Sequence, residues 1–268
     1  MIVKWVYSSS SNIGNYYISA KFAKSKESEI YKAWAWGNYK YQSKSKKNLL
    51  YVKEQKELEF LTFYSDCINF SRDLINSPAN KLNPSTYYSK IKNNNLFKSF
   101  NFIDYTEKEI NSNFPLTCAV GKSSSSKPKV IEITNRKLSK KDKPLVIIGK
   151  GVTFDTGGVN IKPGSSMRNM KKDMGGSAIA ISLFLLANYF LKKTKIVLIA
   201  PIAENAISSK SMRPGDVYSS VSGKSVEIAH TDAEGRLLLA DAIEKASSYN
   251  PCMIIDFATL TGAARVAL

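Results

Sequence analysis

Along the 268 residues, the hydrophobic pattern is weak at the start and sharpens from about residue 145. Short apolar runs at Leu145-Val-Ile-Ile148, Ile196-Val-Leu-Ile-Ala200, Val226-Glu-Ile-Ala229 and Met253-Ile-Ile-Asp-Phe257 read as buried strands. Helical segments lie between them, one around Ser177 to Tyr189 and one from Gly235 to Ser247. Strands alternating with helices predict an α/β fold whose mixed, largely parallel central sheet is flanked by helices. Upstream, Phe60, Phe63, Tyr64, Cys67, Ile68, Ser71 and Leu74 recur at helical spacing, and Pro78 and Pro84 then break the chain. Further loops are expected at Ser8 to Ser11 and at Ser123 to Pro128. Tyr31 to Lys40 mixes aromatics and lysines without clear periodicity, and no internal repeat is present.

With 43% hydrophobic and 23% charged residues the composition is that of a soluble globular protein, and 14 Gly and 9 Pro exclude collagen-like and mucin-like chains. Met174 to Leu191 carries no charge and reaches the lower length limit of a membrane span. It opens on Gly175-Gly176, includes Ser177, Ser182 and Asn188, and stands between strands, so it is read as a helix of the core, with no membrane partner. Cys67, Cys118 and Cys252 are few, odd in number and far apart, which fits a reducing compartment. Met1 to Tyr7 lacks the features of a secretory signal, and the expected location is cytoplasmic. The net charge of +17 is compatible with nucleic acid as a partner. The lysines are scattered, with only short clusters such as Lys44-Ser-Lys46-Lys47, and compositional drift is the favoured explanation.

Candidate chemistry sits just after strands, where α/β enzymes build their sites. Asp155 follows the first apolar run in Gly149-Lys-Gly-Val-Thr-Phe-Asp-Thr-Gly-Gly158, and Asp173 precedes the glycine pair of the uncharged helix. Asp232 and Glu234 stand two apart, a spacing that aims both to one side of an extended loop. Carboxylates so aimed repel unless a cation joins them. Each piece also has an ordinary reading: a turn for Asp155, helix capping for Asp232 and Glu234, solvated loop lysines for Lys150 and Lys162. His230 is the sole histidine, which excludes a histidine-built zinc site, and no nucleophile elbow or phosphate loop is present.

Together the pieces are specific. His230-Thr-Asp-Ala-Glu-Gly-Arg-Leu237 resembles the Asn-Thr-Asp-Ala-Glu-Gly-Arg-Leu signature of the leucyl aminopeptidases, the cytosol aminopeptidase family of dinuclear metallopeptidases. Gly149 to Lys162, Met167 to Gly176, Pro214-Gly-Asp-Val217 and Ala258-Thr-Leu-Thr-Gly-Ala263 match further blocks in order, with weaker likeness at Asn76-Ser-Pro-Ala-Asn80 and Trp36-Gly-Asn-Tyr39. The resemblance implies a peptidase that releases leucine-like N-terminal residues from peptides by two-metal activation of water. It implies that Lys150, Asp155, Asp173 and Glu234 hold one divalent cation and that Asp155, Asp232 and Glu234 hold the other. Four carboxylates then balance two cations, and Lys150 joins only as a neutral amine. Oxygen ligands suit Mn²⁺, Zn²⁺ or Mg²⁺ without choosing among them. By the same resemblance Lys162 stabilises the oxyanion, Arg236 holds a bicarbonate, Thr259, Leu260 and Gly262 align the substrate, and Met170 lines the first side-chain pocket.

The chain departs from the family pattern at His230, where Asn is usual, and at its ends. Residues 1–50 are expected to be a remnant of an N-terminal domain with its linker, and 51–268 a catalytic domain incomplete at the C-terminus. An incomplete sheet would leave an edge or face uncovered after Phe257. The family works as a hexamer, so a homo-oligomer is expected. The competing expectation is an inactive, truncated homologue or a lysine-rich nucleic-acid-binding protein on the same fold.

Overall fold

The computed structural model describes residues 15–16, 27–42, 49–50, 52 and 54–266; the serine run at 8–11 and the lysine cluster at 44–47 lie outside them. The chain divides into two compact units, one ending at Asp73 and one beginning at Leu74. In the first, helix α1 (Glu27–Gly37) occupies the stretch that showed no periodicity. Its adjacent Ile30 and Tyr31 both pack into a small cluster with Leu61, which blurs the single apolar stripe expected of a surface helix. Asn15–Tyr16 and Leu49–Leu50 form a short parallel pair. Helix α2 (Gln55–Asn76) covers the predicted helical stretch and runs across the division between the units. It stops before Pro78, and helix α3 (Pro84–Lys92) starts with Pro84 at its first position under a capping box made by Asn83 and Thr86.

The second unit is built on a six-stranded mixed sheet. In chain order its strands are β1 (Asn101–Ile103), β2 (Lys129–Thr134), β3 (Leu145–Gly149), β4 (Gly151–Asp155), β5 (Ile196–Asn205) and β8 (Met253–Phe257). The spatial order is β8-β3-β5-β2-β1. β5 is long enough to pair in parallel with β3 along Ile196–Ile199 and with β4 along Ile202–Asn205. β2 runs antiparallel to β5, β1 antiparallel to β2, and β8 parallel to β3. Alternation puts Val146, Ile148, Val197 and Ile199 against helices α4 (Glu107–Asn113) and α7 (Gly235–Ser247). The opposite face receives helix α6 (Gly175–Phe190), so close that a Cβ on Gly149 would meet the Ser177 Cα at 2.4 Å. The Met170–Phe190 segment has the length and composition of a membrane span, but 67% of its apolar window is buried inside the protein.

Two of the predicted strands need correction. Val226–Ala229 is no strand of the central sheet: among the described residues Ser225–Glu227 (β7) pairs only with Val217–Ser219 (β6), in a separate antiparallel ribbon. Ile228 is buried there while Ser225 and Glu227 face solvent, so the run is an alternating ribbon of the kind that one apolar side supports. Met253–Phe257 does join the sheet, as an edge strand with a neighbour on one side, and Met253 is 56% exposed.

Candidate active site

The parallel strands β3, β4, β5 and β8 end on the same side, and each delivers residues to one cavity or its wall. Lys150 follows β3, Asp155 ends β4, Asn205 ends β5, and Thr259 to Gly262 follow β8. The carboxyl edge of parallel strands is where such sheets bind ligands, because the connecting loops are free to vary there. The cavity, of about 470 Å³, is lined by all eleven residues singled out in the sequence: Lys150, Asp155, Lys162, Met170, Asp173, Asp232, Glu234, Arg236, Thr259, Leu260 and Gly262.

Carboxylate oxygens of Asp155, Asp232 and Glu234 converge to within 4.8 Å of one another, with Asp155 and Glu234 buried. The D-x-E pair reaches this point by a different route from the extended loop expected. Thr231–Ala233 is a 3-10 turn capped by His230, whose Nδ1 accepts from the Asp232 N–H at 3.2 Å. Glu234 then occupies the cap position of α7 without making a side-chain cap, so capping does not explain its presence. Asp155 serves two purposes. Its Oδ1 accepts from the Gly157 N–H at 2.9 Å and from Asn205 Nδ2 at 2.8 Å, while Oδ2 faces Lys162 Nζ at 3.0 Å. The turn thus engages one oxygen of this side chain and leaves the other to face the cavity's lysine. Gly157, at φ +86°, makes the turn that a side chain would strain.

Each lysine lies between two carboxylates. Lys150 Nζ is 2.7 Å from Asp173 Oδ2 and 3.1 Å from Glu234 Oε1, and it also donates to the Thr259 carbonyl. Lys162 bridges Asp155 and Asp232. Burial works against both ammonium charges, yet the flanking carboxylates outweigh it and hold both lysines above the usual lysine range. Burial raises the Asp173 and Glu234 carboxyls, only partly offset by Lys150. Thr259 Oγ1 donates to the Asp173 carbonyl and to Asp173 Oδ1, both at 2.9 Å, which ties the loop after β8 to the short helical turn Met170–Lys172.

Behind the carboxylates is a hydrogen-bonded layer that the sequence did not mark. Asn205 Nδ2 also donates to the Thr231 carbonyl, and Thr231 Oγ1 donates to the Gly157 carbonyl at 2.6 Å. Gly235, the first residue of α7, leaves room for Lys150: a Cβ there would meet Lys150 Cε at 2.5 Å and Nζ at 2.9 Å.

The donor set fits divalent cations. The oxygens are hard ligands, three converge, and Asp232 Oδ1 and Glu234 Oε1 are buried with no hydrogen-bond partner although each faces an ammonium. A cation would satisfy both atoms.

The model of the cytosol aminopeptidase family catalytic domain matches residues 69–268. A probable cytosol aminopeptidase of Corynebacterium efficiens is 43% identical over 204 residues, which are 76% of this chain and 40% of that protein. The cytosol aminopeptidase of Encephalitozoon cuniculi is 41% identical over 206 residues, 75% of this chain and 42% of that one. The chain thus spans about two-fifths of the length of these curated relatives. Among solved structures, the cytosol aminopeptidase from Coxiella burnetii superposes with a TM-score of 0.87 at 34% identity, covering 99% of this chain and 59% of that one. The bottromycin maturation enzyme BotP in complex with Mn superposes with a TM-score of 0.78 at 29% identity, covering 90% of this chain and 54% of that one. With the fold matched over nearly its whole length and the family model over most of it, the chain belongs to the cytosol aminopeptidase family.

Proposed function

We propose that the protein is a metal-dependent aminopeptidase that hydrolyses the first peptide bond of substrates with a free N-terminus and prefers leucine-like residues. The observation that carries this reading is the convergence of Asp155, Asp232 and Glu234 within 4.8 Å, with Lys150 and Asp173 alongside. Lys150, as the neutral amine left once a cation takes over the carboxylates that keep it protonated, would with Asp155, Asp173 and Glu234 hold one divalent cation, and Asp155, Asp232 and Glu234 the other, Mn²⁺, Zn²⁺ and Mg²⁺ all suiting oxygen ligands. Such a pair, when bound, supplies a water acidified enough to attack a carbonyl near neutral pH. Lys162, held protonated by Asp232 and Asp155, donates to the oxyanion that forms. Arg236, exposed at the cavity, holds a bicarbonate; Met170 gives apolar surface to the first side chain, and Thr259, Leu260 and Gly262 align the peptide backbone. The catalytic portion is taken as residues 51–268, working in the cytoplasm as a homo-oligomer, a hexamer by the family pattern.

The test is hydrolysis of leucine p-nitroanilide by the purified chain with Mn²⁺, beside Asp232→Asn. The expected result is turnover that disappears in Asp232→Asn and on chelation and returns when Mn²⁺ is restored. Turnover indifferent to both, or a folded chain that neither binds Mn²⁺ nor cleaves the substrate, refutes the reading.

A further inference from the structure

The aminopeptidase reading uses two of the four basic side chains at the cavity in direct contact with carboxylates. Lys150 and Lys162 are each engaged by two acidic groups. Lys172 and Arg236 line the same cavity, are exposed, and have no side-chain hydrogen bond or ion pair among the described residues. Lys172 has no role in the metal set described above. It stands at the end of the short turn Met170–Lys172, between a residue proposed for the first side-chain pocket and a proposed ligand, Asp173.

Charge sets its use. Four carboxylates and four basic side chains balance when no cation is counted. Two bound divalent cations would take up the whole charge of those carboxylates and, with Lys150 a neutral ligand, Lys162, Lys172 and Arg236 would remain as a surplus. A cavity with low-dielectric walls focuses such a surplus on whatever enters. A strongly positive chain, +17 overall, adds to the same field.

We propose that Lys172 is a specificity-determining residue that receives a carboxylate of the substrate beyond the scissile bond. The enzyme then favours peptides with an acidic second residue, or dipeptides whose C-terminal carboxylate falls at that place. The inference rests on the aminopeptidase reading and deepens it by naming the substrate class.

Two matched pairs separate the two sources of the carboxylate: Leu-Asp-amide against Leu-Asn-amide, and Leu-Ala against Leu-Ala-amide. The readout is the ratio of kcat/KM within each pair for the wild type, Lys172→Gln and Lys172→Glu, with Mn²⁺ present. A solvent-accessible ion pair predicts a preference of about two- to fivefold for the anionic member in at least one pair. That ratio should fall to about unity in Lys172→Gln, invert in Lys172→Glu, and shrink in high salt, as expected for an accessible pair. Preference in the first pair assigns the second side chain; preference in the second assigns the C-terminus. Equal rates in both pairs, or a preference that Lys172→Glu retains, overturn the proposal.

A binding arm keeps it testable apart from catalysis. Leu-Asp-amide and Leu-Asn-amide with a methyleneamine in place of the peptide bond are titrated calorimetrically into the Mn²⁺-loaded chain and into Lys172→Glu. Absence of leucine p-nitroanilide turnover counts against the aminopeptidase reading, whereas equal affinities within this pair and within the matching analogues of Leu-Ala and Leu-Ala-amide count against Lys172.

Discussion

Gly235→Ala isolates the most confined contact of the site. An added Cβ lies 2.5 Å from Lys150 Cε, 2.9 Å from Cδ and 2.9 Å from Nζ. Comfortable carbon contacts start near ~3.5 Å, so the lysine tail must withdraw by about 1 Å. Its ammonium starts 2.7 Å from Asp173 Oδ2 and 3.1 Å from Glu234 Oε1, and a shift of that size carries it to the limit of the hydrogen bond with the first or of the ion pair with the second. A lysine tail normally yields cheaply, but this one is 2% exposed and held by hydrogen bonds to Asp173 and the Thr259 carbonyl and by an ion pair with Glu234. Leaving buried carboxylates without their cation costs about 3–5 kcal/mol, against a gain of at most about 1 kcal/mol from replacing a helical glycine. The net loss of about 2–4 kcal/mol corresponds to a melting point lower by roughly 5–15 °C for a unit of this size. Catalysis should fall about 100-fold, the usual consequence of a 1 Å misplacement. Gly164→Ala is the control, since a Cβ there meets nothing within 4 Å. Thermal melts and leucine p-nitroanilide kinetics of both variants decide the matter, with Gly235→Ala/Lys150→Ala as a coupled double variant. Gly235→Ala behaving like Gly164→Ala in both assays would refute the reasoning, as would full additivity with Lys150→Ala.

Three further outcomes follow from other parts of the structure. Asp241 on α7 is buried and accepts through Oδ2 from the Thr117 N–H at 2.7 Å and the Thr117 hydroxyl at 3.0 Å, at the start of helix α5 (Pro115–Gly121), which has no side-chain cap of its own. Burial pushes its carboxyl up to about 6, so the folded state binds this proton more tightly than the unfolded chain. Its contribution, about 3 kcal/mol at most, is full below about pH 4 and is lost as pH rises through about 6. The melting point of the wild type relative to Asp241→Asn should therefore drop between about pH 4.5 and about pH 7.5, and a constant difference would exclude the mechanism. Lys162→Met should lower kcat about 10²–10³-fold with a smaller change in KM, measured by steady-state kinetics, because an oxyanion donor acts in the transition state. Asn205→Ala removes a donor to Asp155 Oδ1 and to the Thr231 carbonyl and should weaken Mn²⁺ binding about 10–100-fold by calorimetry, as loss of a partner behind a ligand does.

What the sequence revealed and what it hid have different physical origins. The strands Leu145–Ile148 and Ile196–Ala200 were legible because each is a local run buried on both faces, and the helices Gly175–Phe190 and Gly235–Ser247 because each carries its own apolar run, continuous in the first and one-sided in the second. β2 was not, because Glu132 interrupts Lys129-Val-Ile-Glu-Ile-Thr134, and the interruption is silenced by partners far away in the chain. Tyr105 and Tyr249 donate to the two oxygens of this fully buried carboxylate, and Lys245 stands 3.9 Å off. β4 hid for a related reason: its glycine and threonine resemble a loop until the overlong β5 supplies a partner. All eleven site residues meet because each lies within a few residues of a strand end or helix start, so short motifs carried them. The groups that fix them act across 26 to 74 residues, as Asn205 and Thr231 do, and no spacing rule reports such pairs. One signal was available. Asn205 ends a strand whose residues are otherwise mostly apolar, and a polar side chain buried at the carboxyl end of the central strand requires acceptors, which in this fold are Asp155 and the backbone that carries Asp232.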